Sequence, residues 1–381
     1  MKNVVILDPK GVISRGGDQT LNRHIQYADR LATATGGEYR LVVVTRTEIQ
    51  EEDLIFKNLR VINLRLIRPN YISFLVLAMK SLKRKDIEFL VVGDPWSPFF
   101  VAFAMRILFN LQIPIQVQLH ADLFNTEWLE GGLINKAKSF LAIPAMFVCD
   151  SIRFVSKGQL SNTVEKLRWV EAKSFISPVF LHLDTQVPTR IERSNSDPIT
   201  LGLLGRIHKD RGMDLLVPFI APVINFHPEI QLKIAGEGPY QTELEAQIKS
   251  AGLSKNVSFV GHVGGLELSR FWLEIDILIS LAPSESYGRS IREALVAGVP
   301  VWATPSSGVK ELQEFAKNSE ISLIDFSISP LAQFSLIERM ALVRVTDETR
   351  EAIALENNQG LQGLIDSWIN RGGNKFERGN R

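Results

Sequence analysis

The sequence predicts an α/β protein made of two doubly wound domains in series. Three observations carry that prediction. The chain has 381 residues, too many for one ordinary core. Short Val/Ile-rich runs alternate with amphipathic stretches in both halves, the pattern of βαβ units. A polar stretch with two prolines, "DTQVPTRIERSNSDP" at 184–198, interrupts that alternation and reads as a linker.

In the first half the strand candidates are 3–8, 40–45, 60–66, 89–94, 115–120, 152–156 and 174–177. They are not strictly alternating, as expected of parallel strands covered on both faces. Helical patterns separate them at 18–35, 71–84, 97–110, 133–148 and 157–167. After the break, strands are expected at 199–205, 231–236, 257–261, 277–281, 301–304 and 321–325, with a helix at 289–297 and helices over 329–370. The domain boundaries follow: an N-terminal domain over 1–183, a linker over 184–198, a C-terminal domain over 199–355, and a helix and tail over 356–381 that would return to the N-terminal domain.

Composition narrows the function. Apolar residues make up 45% and charged residues 22%, a globular balance. The net charge of +1 offers no general attraction for nucleic acid, which is not expected as a partner. Cys149 is the sole cysteine, so an internal disulfide and a Cys-based zinc site are excluded, in keeping with a reducing compartment. The N-terminus "MKNVVILDPKG" has too short an apolar run for a secretory signal, and the uncharged runs elsewhere are too short to span a bilayer. A cytoplasmic protein is expected.

In open α/β sheets ligands bind beyond the carboxyl ends of the strands. That is where the unusual residues fall, and a cleft lined by both domains is the expectation. Arg206, His208, Lys209 and Arg211 crowd the loop after strand 199–205, a cation density that suits a diphosphate and also suits a solvated loop. In "AGEGP", Gly236 and Gly238 permit close backbone approach, although a G-x-G alone fits any tight αβ turn. It is no dinucleotide fingerprint, because the third glycine is missing and no G-x-G-x-x-G follows a first strand in either half; an NAD oxidoreductase is therefore set aside.

The stretch "PSESYGRSIREALVAGVPVWATPSSG" (283–308) carries the most chemistry. The amides of Gly288, Arg289 and Ser290 open a helix and form an anion site. Glu285 and Glu293 stand on either side, able to accept hydrogen bonds from hydroxyls. A diphosphate between two carboxylates describes a sugar nucleotide, with the sugar at Glu285 and the ribose at Glu293. The competing reading makes Glu293 a surface residue and Glu285 a cap.

Taken together, "GRIHKDRGMDLL", "IAGEGP", "VSFVGHV" and the 283–312 segment resemble, in order and spacing, the family 4 (group 1) retaining glycosyltransferases. The resemblance is strongest over 199–312 and extends more weakly to "SRGGDQ", "QLHAD" and "DSIRFVS". It implies a GT-B fold, two Rossmann-like domains facing a central cleft. By that resemblance Gly16 and Gly17 would approach the diphosphate or acceptor, and His120 the anomeric carbon. Arg206 and Arg211 would neutralise the diphosphate, Arg211 standing where relatives usually carry Lys. His262 and Val263 would hold the base, Ser284 and Glu285 would face the sugar, and Glu293 would bind the ribose. Ser286 and Tyr287 occupy positions that are often Gly and Phe. His24, His182 and His227 have no constellation around them and read as structural.

The implied activity is metal-independent transfer, with retention, from a UDP- or GDP-sugar to a glycan or lipid-linked acceptor in surface polysaccharide synthesis. The alternatives are an epimerase or phosphorylase on the same fold, and a non-catalytic sugar-nucleotide-binding subunit. "NYISFLVLAMKSLKRK" and the segment around Trp128 leave peripheral contact with the inner membrane face open beside a plain half-buried helix.

Overall fold

The computed structural model describes residues 1–15, 17–49, 51–109, 112–183, 198–317 and 319–370, apart from the side chains of Asp18 and Glu127. The expected linker, 184–198, lies outside them but for Pro198, and the tail from 371 lies outside them altogether. The chain divides into two compact units, Met1–His182 with the residues from Asn357 onward, and Leu183–Glu356. The first unit is thus discontinuous in sequence.

The first unit carries strands β1 (Lys2–Asp8), β2 (Tyr39–Thr47), β3 (Leu54–Ile55), β4 (Leu59–Arg65), β5 (Ile87–Val92), β6 (Ile115–Leu119), β7 (Ser151–Phe154) and β8 (Ser174–Ile176). They form one sheet in the order β3-β4-β2-β1-β5-β6-β7-β8, parallel throughout except for the β3–β4 pair. The short antiparallel β3 was not expected: two residues give no periodicity to read. Its helices are α1 (Gly17–Ala34), α2 (Tyr71–Ser81), α3 (Ser97–Leu108), α4 (Thr126–Glu130), α5 (Leu133–Val148) and α6 (Lys157–Lys166). One apolar layer joins the sheet to α2, α3 and α5 through Phe74, Phe99, Ala102, Ala142 and Met146. The layer on the other face holds Tyr27 and Leu31 of α1 with Leu364, Ile365 and Trp368 from the end of the chain. Trp368 donates its Nε1–H to Gln116 Oε1 at 3.0 Å, tying that terminal segment to β6.

The second unit carries β9 (Thr200–Leu204), β10 (Gln231–Ala235), β11 (Val257–Gly261), β12 (Ile277–Ser280), β13 (Val301–Ala303) and β14 (Ile321–Leu323). Its helices are α7 (Met213–Phe226), α8 (Gln241–Ser250), α9 (Leu266–Glu274), α10 (Arg289–Val296), α11 (Ser307–Leu312), α12 (Phe334–Ala341) and the first part of α13 (Asp347–Ile369). The sheet is fully parallel in the order β11-β10-β9-β12-β13-β14. Numbered within the unit this is 3-2-1-4-5-6, the Rossmann order. Crossovers leave β9 toward β10 and β12 toward β13, in opposite directions, so the loops after β9 and β12 part at a switch point where such sheets bind ligands. Both faces are sealed by apolar layers, one with α7, α8 and α12, the other with α9, α10 and α11.

Candidate active site

All six strands of the second unit end at one edge, and the loops there are packed backbone against backbone. Gly212 has φ +71°, and a Cβ on it would overlap the Leu281 carbonyl. The loop after β9 therefore lies directly on the loop after β12. Gly236 has φ +133°, and its missing Cβ leaves room for the Gly205 carbonyl; Gly238 does the same for Ile207. Ile207 donates its N–H to the Glu237 carbonyl at 3.0 Å, and Gly236 donates to the Gly261 carbonyl at 2.7 Å. Gly236 and Gly238, expected to approach a ligand, thus have an internal function here: they let three strand-end loops touch.

Onto this platform the structure brings Arg211 and Glu285, 74 residues apart, as an ion pair between Arg211 Nη1 and Glu285 Oε2. The other carboxylate oxygen, Oε1, accepts the Gly288 N–H at 3.2 Å. The sequence leaves that amide to a phosphate or to Glu285 as a cap; in this structure Glu285 occupies it. The Glu285 carbonyl accepts the Gly308 N–H at 2.9 Å, so the "PSSG" turn after β13 braces the Glu285 loop from the third side. A Cβ on Gly308 would crowd both Glu285 and Tyr287. Glu285 is largely shielded and Arg211 half-exposed, so the pair is stronger than a surface bridge and still reachable from solvent.

The remaining expected residues of the second unit lie in its strand-end loops and on α10. Arg206 is exposed and pairs with Asp210 at 3.1 Å, while His208 caps the following turn by accepting the Asp210 N–H at 3.2 Å. Arg289 lies 3.8 Å from Glu293 on α10. Gly288, at φ +73°, lets the chain enter α10 from the left-handed region. Ser284 is half-buried, Ser290 is half-buried, His262 is exposed and Val263 is buried. His120 and Gly17 belong to the first unit: His120 is exposed just past β6, and Gly17 begins α1 at φ +60° with open space around it. Gly16 lies outside the described residues. Among the described residues no group of three or more His, Cys, Asp or Glu could hold a metal ion.

One residue of weight was missed. Arg292 is fully buried on α10, its guanidinium 3.6 Å from the Tyr287 ring centroid and bonded to the Tyr287 carbonyl. It forks onto both carboxylate oxygens of Glu356, each at 2.9 Å. Burial works against its charge, but Tyr287 and Glu356 outweigh burial and hold its pKa above the ordinary arginine value. The clamp fixes the Tyr287–Gly288 peptide, and with it the amide that Glu285 receives. The available signal was an arginine one place after Ile291 and three before Leu295, on the apolar stripe of a helix, where a charge implies a buried partner.

Known proteins bear on this geometry. Residues 187–322 match the family model described as Glycosyl transferases group 1. Among curated relatives, the gpi3 subunit of phosphatidylinositol N-acetylglucosaminyltransferase from Schizosaccharomyces pombe is 26% identical over 147 residues, 37% of this chain and 32% of its own length. Alpha-monoglucosyldiacylglycerol synthase from Streptococcus pneumoniae is 30% identical over 104 residues, 27% of this chain and 24% of its own length. The matches thus span about a quarter to a third of those relatives. Likeness of fold extends much further. The sucrose-phosphate synthase of Thermosynechococcus elongatus superposes with a TM-score of 0.74 at 17% identity, over 96% of this chain and 100% of that one. HepE of Anabaena, in complex with UDP and glucose, gives 0.69 at 15% identity over 97% and 99%. The chain has the GT-B fold, and its residues 187–322, which hold the Arg211–Glu285 pair, match the group 1 glycosyltransferases.

Proposed function

We propose that this group 1 glycosyltransferase moves a hexosyl group, with retention and without a metal, from a nucleoside-diphosphate sugar to a glycan or lipid-linked acceptor. The observation that carries the reading is the Arg211–Glu285 pair at the switch point of a Rossmann-ordered sheet. It joins the cation a departing diphosphate needs to the carboxylate a sugar hydroxyl needs. UDP and glucose in HepE, and UDP with alpha-GlcNAc-glycerol in TarM of S. aureus, support a UDP-sugar as the donor class, with a GDP-sugar second.

In the proposed reaction the bond from the anomeric carbon to the phosphate oxygen breaks, and negative charge gathers on the diphosphate. Arg211 stabilises it, with Arg206 and the amides of Arg289 and Ser290 contributing. A preorganised donor aimed at developing charge is typically the largest single catalytic effect. The acceptor oxygen attacks the same face of the sugar, and its proton passes to the departing phosphate oxygen. Glu285 orients the sugar hydroxyls, Glu293 receives the ribose, and His262 with Val263 holds the base. By the family resemblance His120 would serve the anomeric carbon, and Gly16 and Gly17 the diphosphate or the acceptor.

The acceptor is proposed from the first unit and from relatives. Two curated relatives are named for lipids, a phosphatidylinositol N-acetylglucosaminyltransferase subunit and an alpha-monoglucosyldiacylglycerol synthase, which supports a lipid or lipid-linked acceptor. A role in surface polysaccharide synthesis, at the cytoplasmic face of the membrane through peripheral contact, is the corresponding cellular proposal. Donor turnover across UDP-, GDP- and ADP-sugars, comparing the natural chain with Glu285→Ala, tests the chemistry. Turnover of one donor that the variant loses is the expected result. Tight donor binding without turnover would return the protein to the non-catalytic alternative.

A further inference from the structure

A surface helix usually turns its apolar stripe inward and carries charge outside. Three neighbouring helices of the first unit are apolar on both sides. On α5 the inner stripe is Ser139, Ala142, Ala145 and Met146. The outer one is Ile134, Phe140, Leu141, Pro144 and Phe147, with Phe140 72% and Phe147 69% exposed. On α3, Phe100 and Ile107 face outward, Ile107 at 61%. On α2, Ile72 and Val76 do, Ile72 at 77%.

These helices share one face of the sheet. All three contribute to the same apolar layer beneath them. Trp96, at the start of α3, donates its Nε1–H to the Lys138 carbonyl of α5 at 3.0 Å. Arg106, near the end of α3, reaches Asp150 just beyond α5 at 2.8 Å. Both ends of α3 are therefore tied to α5 or the residue after it, and α2 packs against α3.

Charge says what this face meets. The sequences of α2, α3 and α5 contain no Asp or Glu; their charged residues are Lys80, Arg106, Lys136 and Lys138. Lys83, Arg84 and Lys85 follow α2 in exposed positions. At the far end of α5, Trp169 meets Phe147 edge-on at 5.5 Å, and Lys173 sits 5.5 Å from the Trp169 ring centroid while donating to the Phe147 carbonyl at 2.7 Å. An indole beside a lysine at the rim of an apolar patch is the pairing found at membrane interfaces, where the ring lies at headgroup level and the cation meets phosphate. A second copy of the same face would set these cations against one another. Among the described residues no helix is long and apolar enough to cross a membrane.

We infer that the outer face of α2, α3 and α5 inserts its aromatic and aliphatic side chains into the interface of an anionic lipid bilayer, with the lysines at its rim on the headgroups. The inference extends the peripheral contact proposed above and is independent of the donor chemistry.

Co-sedimentation of the full chain with vesicles tests it, using phosphatidylcholine alone and phosphatidylcholine mixed with phosphatidylglycerol. The expected result is binding that prefers the anionic vesicles and falls as salt rises. Phe140→Glu/Phe147→Glu, at two exposed positions, should lower the bound fraction about tenfold or more. Lys136→Glu/Lys138→Glu should remove the anionic preference and leave weak binding to both. Thermal melting of each variant close to that of the natural chain, and unchanged donor turnover without vesicles, show that fold and chemistry survive. Absence of binding by the natural chain to anionic vesicles overturns the inference, as does equal binding by the phenylalanine variant. A dimer in solution that the phenylalanine variant dissolves, without vesicle binding, assigns the face to a second copy instead.

Discussion

The parallel strands of both units run in the order 3-2-1-4-5-6, continued by one strand in the first unit, yet the two units carry their unusual residues in different places. In the second unit they lie at the carboxyl edge of the sheet: glycines without room for a Cβ, an ion pair at the switch point, and a buried arginine bracing a turn. The outer faces of its helices α8 and α9 are ordinary, with Glu243, Glu245, Lys249, Glu267, Arg270 and Glu274 spread among them. In the first unit three helices, α2, α3 and α5, are unusual: they lack acid and expose aromatic and aliphatic side chains. Shared topology therefore fixes where a ligand edge exists, and the residues decide which surface each copy of the topology specialises.

The sharpest way to break this comparison is Arg211→Ala. Removing a preorganised donor to a developing anion typically costs about 10²–10³ in rate, so kcat for donor turnover should fall by that amount. Arg211→Lys should recover much of it, because the charge remains. An Ala variant with normal kcat would mean that the switch-point pair only holds the loops together.

Next in size is Arg292→Met. Breaking a buried pair by removing one partner costs roughly 3–5 kcal/mol, and the lower end is expected because Glu356 retains some access to water. The loss should appear in denaturant melts. It should also raise the KM for donor, since the Tyr287–Gly288 peptide would no longer be held.

His24 provides a probe of the first unit. Burial pushes its pKa down to about 4, although its Nδ1 lies 2.7 Å from the Thr20 carbonyl. The folded state therefore resists a proton that the unfolded chain accepts near 6.5. Stability is fully present above that value and falls as pH drops toward 4, by on the order of 3 kcal/mol in all. Urea melts across this range should show the slope in the natural chain and a flatter one in His24→Gln.

The smallest effects separate two kinds of glycine. Gly236→Ala meets the Gly205 carbonyl and an unfavourable φ together, and should lower stability by about 2–3 kcal/mol. Gly17→Ala meets only the φ cost, about 1 kcal/mol, because nothing crowds its Cβ position. Equal losses in thermal melts would show that backbone strain, rather than contact between loops, governs the second unit's edge.

Much of this molecule was legible in its residues. Runs such as "VVVT" and "FLVV" announced strands because both faces of a parallel sheet are apolar, and the βαβ alternation followed. The five residues of α4 and the two of β3 were too short to show a period. Arg211 and Glu285 were both named as site residues, each with a separate ligand.

The linear order of the chain determined that charge and glycine would collect after the strands, since strand ends are where polar backbone escapes the core. Tertiary structure alone decided that Arg211 meets Glu285, that Glu285 takes the Gly288 amide, and that Arg292 reaches Glu356 across 64 residues. It also decided which stripe of α5 faces out. Two apolar stripes on one helix look alike in sequence, and only packing against the sheet chooses between them.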